Sequence, residues 1–240
     1  VRTEGADAGL GVLPWDEEAL GLRARLALLH EHLGEPWPDV SDAALADRAE
    51  EWLAPAVTSL AGQAGGSGGP GRSGESASGP GSRRFNLERL DVAQALRALL
   101  PWPQAARLDE LVPERIEVPS GSQVRVDYTA AIGGAAGAAG SVGSAGSAEA
   151  GRAGRPVLAV RVQECFGWAA TPRIVEGRVA VQLHLLSPAR RPVAVTDDLA
   201  SFWEQGYPQV RAEMRGRYPK HAWPEDPWNA PATRGTGRRR

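Results

Sequence analysis

The chain has 240 residues, of which 42% are hydrophobic and 23% are charged, as in ordinary globular proteins. Its 27 basic and 29 acidic residues give a net charge of −2, and its single cysteine, Cys165, excludes intrachain disulfides and thiolate metal clusters. It contains no apolar run of about 18 residues and no signal-peptide pattern at its start. We therefore predict a soluble, cytoplasmic protein without a membrane partner.

The charge is unevenly distributed along the chain. Residues 1–60 contain four arginines and twelve acidic residues, whereas residues 211–240 contain eight basic and three acidic residues. A basic end suits phosphates or an acidic protein surface, and the acidic beginning of the same chain could be that surface. The sign of the charge alone does not choose between these partners.

The first part of the chain has the pattern of packed helices. Apolar residues recur every three or four positions over residues 15–33, which predicts an amphipathic helix. A second helix is predicted from Ser41, as N-cap, to about Trp52, with Pro55 ending it. Both helices should bury their apolar faces against each other.

Two further helices are predicted before the strand-rich part. Phe85, Asn86 and Leu90 form a staple-and-cap pattern that predicts a helix running until Pro101. A shorter helix is predicted over residues 104–111. These helices complete a helical region.

Strands are predicted where the pattern changes to alternation. RIEVPSGSQVRVDYTA alternates apolar and polar residues around a Pro-Ser-Gly turn, which predicts a β-hairpin with Val124, Val126 and Tyr128 on one side. PVLAVRV, RVAVQLHLL and RPVAV are each short and β-branched enough for a strand. After them, Thr196 is predicted as a helix N-cap and Pro208 as the start of an Arg-rich helical segment.

These elements predict an α+β fold in three parts. Residues 1–112 form a helical region, 113–205 a small β-rich domain and 206–240 a basic extension with a disordered tail. Low-complexity tracts at 61–84 and 131–154 have few side chains that could offset the entropy of ordering, so both are predicted to be flexible insertions.

Three segments carry a family resemblance: LAVRVQECFGWAATPRI, VAVQLHLLSPARRPVAVTDDLASFW and, most specifically, EMRGRYPKHAWPEDP. They resemble the C-terminal region of bacterial HrpB-type DExH-box helicases, from about Trp15 to Pro231, while the two insertions depart from the pattern. The resemblance implies an accessory region on the nucleic-acid path of an ATP-dependent enzyme. Its partners would be single-stranded RNA or DNA and the enzyme's own motor domains.

The resemblance also implies that ATP and Mg²⁺ bind elsewhere, in two RecA-like motor domains. The only lysine lies in RYPKHAW, so the chain has no GxxxxGK[ST] loop, in which backbone N–H groups and a lysine hold phosphates. An Asp-Glu-x-His box is also absent from the sequence. We therefore expect no cofactor in this chain and no ATPase activity from it alone.

The basic segment near the C-terminus is the predicted nucleic-acid-binding site. It contains Arg211, Arg215, Arg217 and Lys220, with Tyr218 beside them. Guanidinium groups bind phosphates and aromatic rings stack on bases, which suits a single strand. The alternative is that the same segment docks on its own fold through its aromatic residues.

The strand-rich part offers a second candidate surface. By analogy with related helicases it could form a small open barrel of the OB kind, which binds strands on one face, or another small α+β arrangement. In the barrel, Arg125 and Arg161 would be groove residues.

Catalytic and metal sites are not predicted. Cys165, His184 and Asp197 or Asp198 could be imagined as a nucleophile, a base and an orienting group, but the apolar setting of the cysteine favours a buried structural thiol. The histidines at positions 30 and 32 lack partners at ligand spacing.

Two rival roles need no contact with nucleic acid. The acidic helices or the basic tail could recruit a protein partner, or the region could brace the motor domains.

Overall fold

The computed structural model describes residues 10–65, 87–132 and 154–236. The chain divides into two compact units, Val1–Ala105 and Ala106–Arg240. Most of both predicted insertions and the last four residues of the predicted disordered tail lie outside the described residues, whereas residues 206–236 belong to the second unit. No helix in the described ranges is long and apolar enough to cross a membrane.

The first unit is helical, as predicted. Asp16 caps the first helix by accepting a hydrogen bond of 2.8 Å from the Ala19 N–H, and Gly34, at a φ of 65°, follows its last residue. The middle of its apolar stripe, including Leu22, Leu26 and Leu29, is buried. The helices are α1 (Glu17–Leu33), α2 (Asp42–Asp47), α3 (Ala49–Gly65), α4 (Val92–Ala98) and α5 (Trp102–Leu111), which begins in this unit.

The second predicted helix is two helices in the structure. Ser41 caps α2 as predicted, through a 3.3 Å hydrogen bond from the Ala44 N–H. This helix ends with Arg48 as its C-cap, and α3 begins at the next residue. The prediction that Pro55 ends the next helix was wrong, because α3 continues through it to Gly65. Because Pro55 is exposed, solvent can satisfy the carbonyl that the proline leaves without a donor. The first five residues of the predicted insertion at 61–84 are therefore helical.

The predicted cap of α4 was also wrong. Asp91 caps this helix through a 2.8 Å hydrogen bond from the Gln94 N–H, after a 3₁₀ turn at Leu87–Arg89. Asn86, the predicted cap, lies outside the described residues. An aspartate and an asparagine five positions apart cap equally well, so the pattern could not choose between them.

The second unit contains a five-stranded mixed sheet, which confirms the predicted α+β class. Strand order is β1-β2-β3-β6-β7, with β3 parallel to β6 and the other neighbours antiparallel. Within the described residues β1 and β7 are the edges, an open order that favours the small α+β alternative over a closed barrel. The strands are β1 (Arg115–Glu117), β2 (Gln123–Asp127), β3 (Val157–Arg161), β4 (Arg173–Ile174), β5 (Val179–Ala180), β6 (Gln182–Leu186) and β7 (Pro192–Thr196).

The predicted hairpin forms between β1 and β2. Ile116 pairs with Val124, and the turn contains Gly121 at a φ of 76°, a conformation that favours glycine. Val126 and Tyr128 are buried, as their predicted common side requires. RVAVQLHLL is divided between β5, which pairs with β4 in a small hairpin, and β6 of the main sheet. The short helix α6 (Thr129–Ile132) follows β2.

The last elements are helical and pack through aromatic rings. They are α7 (Leu199–Ser201), a π-helical turn at Phe202–Gly206 and α8 (Tyr207–Arg217). The predicted cap, Thr196, was wrong because it is the last residue of β7, and Asp198 caps α7 instead.

Candidate nucleic-acid interface

Helix α8 carries most of the predicted site and is anchored by its buried side. Pro208 occupies its first turn, as predicted. Tyr207 is buried against Phe166 and Trp203, with ring centroids 5.8 and 5.4 Å away. Burial raises the pKa of the Tyr207 phenol, and its hydroxyl donates a 2.9 Å hydrogen bond to the Pro224 carbonyl. Met214 continues the buried side, which leaves the opposite side open to solvent.

Arg211 is used within the fold. Its Nε donates a hydrogen bond of 3.0 Å to the carbonyl of Trp223, and its Nη2 lies 2.9 Å from Glu225 Oε1. The guanidinium therefore ties the helix to the segment that follows it. These contacts are the ones expected if the basic segment docks on its own fold.

Tyr218 closes the helix and orders the turn after it. Its carbonyl accepts hydrogen bonds from Trp223 Nε1, at 3.0 Å, and from the His221 N–H, at 3.1 Å. The rings of Tyr218 and His221 meet edge to face, with centroids 6.1 Å apart. Burial, followed by the charge of Arg161, lowers the pKa of His221.

The other three predicted residues are exposed at the end of α8. Arg215 and Lys220 make no hydrogen bond or ion pair with the part of the chain that the structure describes, and Arg217 Nη1 lies 3.8 Å from Glu213 Oε1. Part of this charge complements the negative end of the helix dipole. The structure thus separates the predicted set: Arg211 and Tyr218 hold the fold, and the remaining three face solvent.

Arg125 and Arg161, the predicted groove residues, line one groove on the open face of the sheet. Its volume is about 390 Å³. Arg190, which the sequence reasoning missed, lies in the same groove, in a turn after β6. The parallel pairing of β6 with β3, the neighbour of β2, brings this turn to the groove, and that pairing has no local sequence signal. Ala159, Ser122 and Glu164 are also among the lining residues.

Glu164 is the groove's acidic member. Its Oε1 accepts hydrogen bonds from the hydroxyls of Ser122, at 2.8 Å, and Ser120, at 3.3 Å. Its Oε2 lies 3.7 Å from the Nε of Arg161. Glu164 is buried, and these hydroxyls and Arg161 are the partners of its carboxylate.

The residues considered for nucleophilic catalysis are bound to other groups. Cys165 is fully buried, and burial together with the charge of Glu164 raises its pKa, which keeps the thiol protonated. His184 Nε2 lies 3.2 Å from Gln182 Oε1, Asp197 pairs with Arg155, and Asp198 caps α7. This arrangement provides no activated nucleophile.

His30, one of the two histidines weighed as metal ligands, has its Nδ1 2.8 Å from the carbonyl oxygen of Trp37. It therefore helps to hold the loop after α1. Residues 10–65, 87–132 and 154–236 contain no group of three or more His, Cys, Asp or Glu side chains that could hold a metal ion.

Comparison with known proteins gives a consistent family. Residues 79–227 match the family model HrpB_C, described as ATP-dependent helicase C-terminal. The ATP-dependent RNA helicase HrpB of Escherichia coli (strain K12) is 39% identical over 231 residues, which are 96% of this chain and 23% of the relative.

Two solved structures agree with this match. The crystal structure of the E. coli DExH-box NTPase HrpB matches with a TM-score of 0.72 at 39% identity, over 95% of this chain and 23% of that one. The crystal structure of the Escherichia coli DEAH/RHA helicase HrpB matches with a TM-score of 0.61 at 36% identity, over 91% and 22% of the two chains. The chain thus spans about a quarter of the length of these relatives. It belongs to the HrpB family of ATP-dependent helicases and corresponds to the C-terminal part of its members.

Proposed function

We propose that this chain is an accessory region that contacts single-stranded nucleic acid through the exposed basic end of α8 while motor domains outside it hydrolyse ATP with Mg²⁺. The observation that carries the proposal is the exposure of three cations, Arg215, Arg217 and Lys220, which lie at and just after the C-terminal end of an anchored helix. Such cations can replace the counterions that surround phosphates.

The anchoring of α8 supports a positioning role. Arg211 and Tyr207 hold the helix and the following segment together through contacts to Trp223, Pro224 and Glu225. Because the basic end is attached to a packed element, the backbone that carries these cations is held in place. The mechanism is electrostatic and steric, and it requires no catalytic group in this chain.

The E. coli relative is named an RNA helicase, so single-stranded RNA is the first substrate to test. Binding of a labelled RNA strand is measured by fluorescence polarisation with the 240-residue chain and with a variant carrying Arg215→Ala, Arg217→Ala and Lys220→Ala. The proposal predicts weaker binding by the triple variant, by roughly one to two orders of magnitude at low salt.

A charge-matched control separates this effect from net charge. Alanine replaces Arg48, Arg97 and Arg107, which are exposed arginines outside the basic end of α8. The control variant should bind RNA nearly as tightly as the unaltered chain. Equal losses in both triple variants would mean that overall charge, and not this site, attracts the strand.

A protein-recruiting or bracing role is the competing function. The acidic surface of the first unit supports recruitment of a basic partner, since residues 1–60 hold three times as many acidic as basic residues. The absence of RNA binding at low salt, in a chain shown to be folded, would favour that role.

A further inference from the structure

Strand β7 forms an edge of the five-stranded sheet, and its outer side pairs with no strand in the described ranges. Its side chains are only partly covered. Val195 is 56% exposed, more than any other large apolar side chain that the structure describes in the second unit. An open edge of this kind offers backbone N–H and C=O groups to another strand. The edge is therefore a candidate surface for pairing between chains.

The edge of β7 is protected at one end only. Natural sheet edges are often blocked by charged side chains, prolines or bulges. Pro192 is the first residue of β7, and the register with β6 is irregular between Leu185 and Leu186, which lie opposite that end. From Ala194 to Thr196 the strand pairs regularly and carries no charged side chain. The free part of the edge is short, which suits a small and weak contact.

Charges of opposite sign lie before and after β7. Arg190 and Arg191 precede it, are exposed and make no side-chain hydrogen bond or ion pair with the residues that the structure describes. Asp197 and Asp198 follow it and are also exposed. Asp197 pairs with Arg155, and Asp198 Oδ1 accepts the 3.1 Å hydrogen bond that caps α7. A carboxylate can accept from a second donor, so both aspartates can still bind a cation.

The order of these residues is self-complementary. The segment reads RRPVAVTDD over residues 190–198, with Ala194 at its centre. When two copies of such a strand pair antiparallel, the start of each lies beside the end of the other. Arg191 of each copy is then close to Asp197 of the other, and opposite charges across a strand pair are stabilising. A parallel pairing would instead bring like charges together.

We propose that β7 pairs antiparallel with β7 of a second copy of this chain, about a twofold axis near Ala194. The two five-stranded sheets then join edge to edge, with an ion pair between Arg191 and Asp197 on each side of the axis. A twofold arrangement uses the same edge of both copies and closes, so it stops at two chains. Because the contact is small, we expect a dissociation constant of roughly 10–500 µM. The proposal is independent of nucleic-acid binding by α8.

The test is sedimentation velocity of the 240-residue chain at low salt, over concentrations of about 5–1000 µM. Arg191→Glu and Asp197→Arg each place like charges across the proposed axis, and a third variant carries both changes. Within one strand these two positions are about 20 Å apart, so their side chains cannot reach each other. Arg89→Glu, at an exposed position in the first unit, is the control for net charge. Thermal unfolding of each variant checks that it is folded.

Each single change at β7 should weaken dimerisation by about tenfold or more, because it acts twice across the axis. The double change should restore dimerisation to within about threefold of the unaltered chain, and Arg89→Glu should alter it by less than about twofold. Such a rescue excludes lost stability as the cause, because the double variant also lacks the ion pair of Asp197 with Arg155.

Two results would overturn pairing between copies. One is a folded chain that stays monomeric over the whole concentration range, including a monomer that binds an acidic peptide through Arg191, because the edge would then serve a different protein. The other is a double variant that associates no more tightly than the single variants.

Discussion

The Nη1 of Arg161 donates a hydrogen bond of 2.8 Å to the backbone carbonyl of Arg234, 73 residues further along the chain. The Nε of Arg234 in turn donates to the carbonyl of Ser120, at 2.9 Å, beside the β1–β2 turn. The C-terminal segment is thereby held against the sheet next to the basic groove. A sequence rich in prolines and tryptophans, without helix or strand, is ordered here by individual hydrogen bonds.

The packing of Arg234 against the β1–β2 turn can be tested at Gly121. Alanine there meets an unfavourable φ of 76°, and its Cβ would lie 2.8 Å from Arg234 Nη2. Gly177→Ala is the matched control, since φ is 79° and no atom lies within 4 Å of the new Cβ. We expect the control to lower the free energy of unfolding by about 1 kcal/mol and Gly121→Ala to lower it by more. Equal costs in urea unfolding would show that the Arg234 contact contributes nothing.

Arg211→Ala should destabilise the second unit. The substitution removes the hydrogen bond to the Trp223 carbonyl as well as the ion pair with Glu225, and we expect a loss of about 1–2 kcal/mol in the free energy of unfolding. Glu225→Gln should cost less than about 0.5 kcal/mol, because the side chain of Glu225 is 86% exposed. Chemical denaturation of both variants separates the two contributions. If Glu225→Gln lowered the free energy of unfolding more than Arg211→Ala, the ion pair and not the hydrogen bond to Trp223 would be the main contribution.

His221 should make the stability of the fold depend on pH. Burial, followed by the charge of Arg161, lowers its pKa below the ordinary value of 6.5, so the unfolded chain binds this proton more tightly than the folded chain. The resulting stabilisation is fully present above pH 6.5. It is lost as the pH falls toward the lowered pKa of His221 in the folded chain. His221→Gln should therefore reduce the acid-induced decrease in melting temperature. An unchanged decrease would place the pH dependence on other groups.

Cys165 should be unreactive in the folded chain. Its thiol is fully buried and its pKa is raised, so neither access nor the thiolate is available near neutral pH. Ellman's reagent at about pH 8 should modify it only after addition of guanidinium. Rapid modification of the native chain would contradict its burial and would reopen a chemical role for this cysteine.

The elements that the sequence predicts best depend on local periodicity. The 3–4 spacing before Leu33 and the alternation in β2 and β3 follow directly from which side chains can be buried together. Caps are less certain, because several polar residues near one helix start can each accept the same hydrogen bond. Asp198 competes in this way with Thr196, and the ladder of β7 decides the outcome by holding Thr196 in a strand.

The candidate sites show the same limit. The basic residues from Arg211 onward lie close together in the chain, so the sequence alone identifies the cluster. Only the structure distinguishes Arg211, which is hydrogen-bonded within the fold, from Arg215, which is exposed. Arg190 reaches the groove through the pairing of strands that are distant in sequence, and no local pattern encodes that pairing.

The salt dependence of RNA binding tests the central proposal most directly. The logarithm of the association constant is plotted against that of salt concentration for the unaltered chain and for the variant lacking the cations at positions 215, 217 and 220. Each phosphate contact on a single strand contributes about −0.7 to the slope, so loss of three contacts should make the slope shallower by about 2. The same steep slope for both proteins, or no binding by the folded chain at low salt, would contradict contact between this end of α8 and nucleic acid.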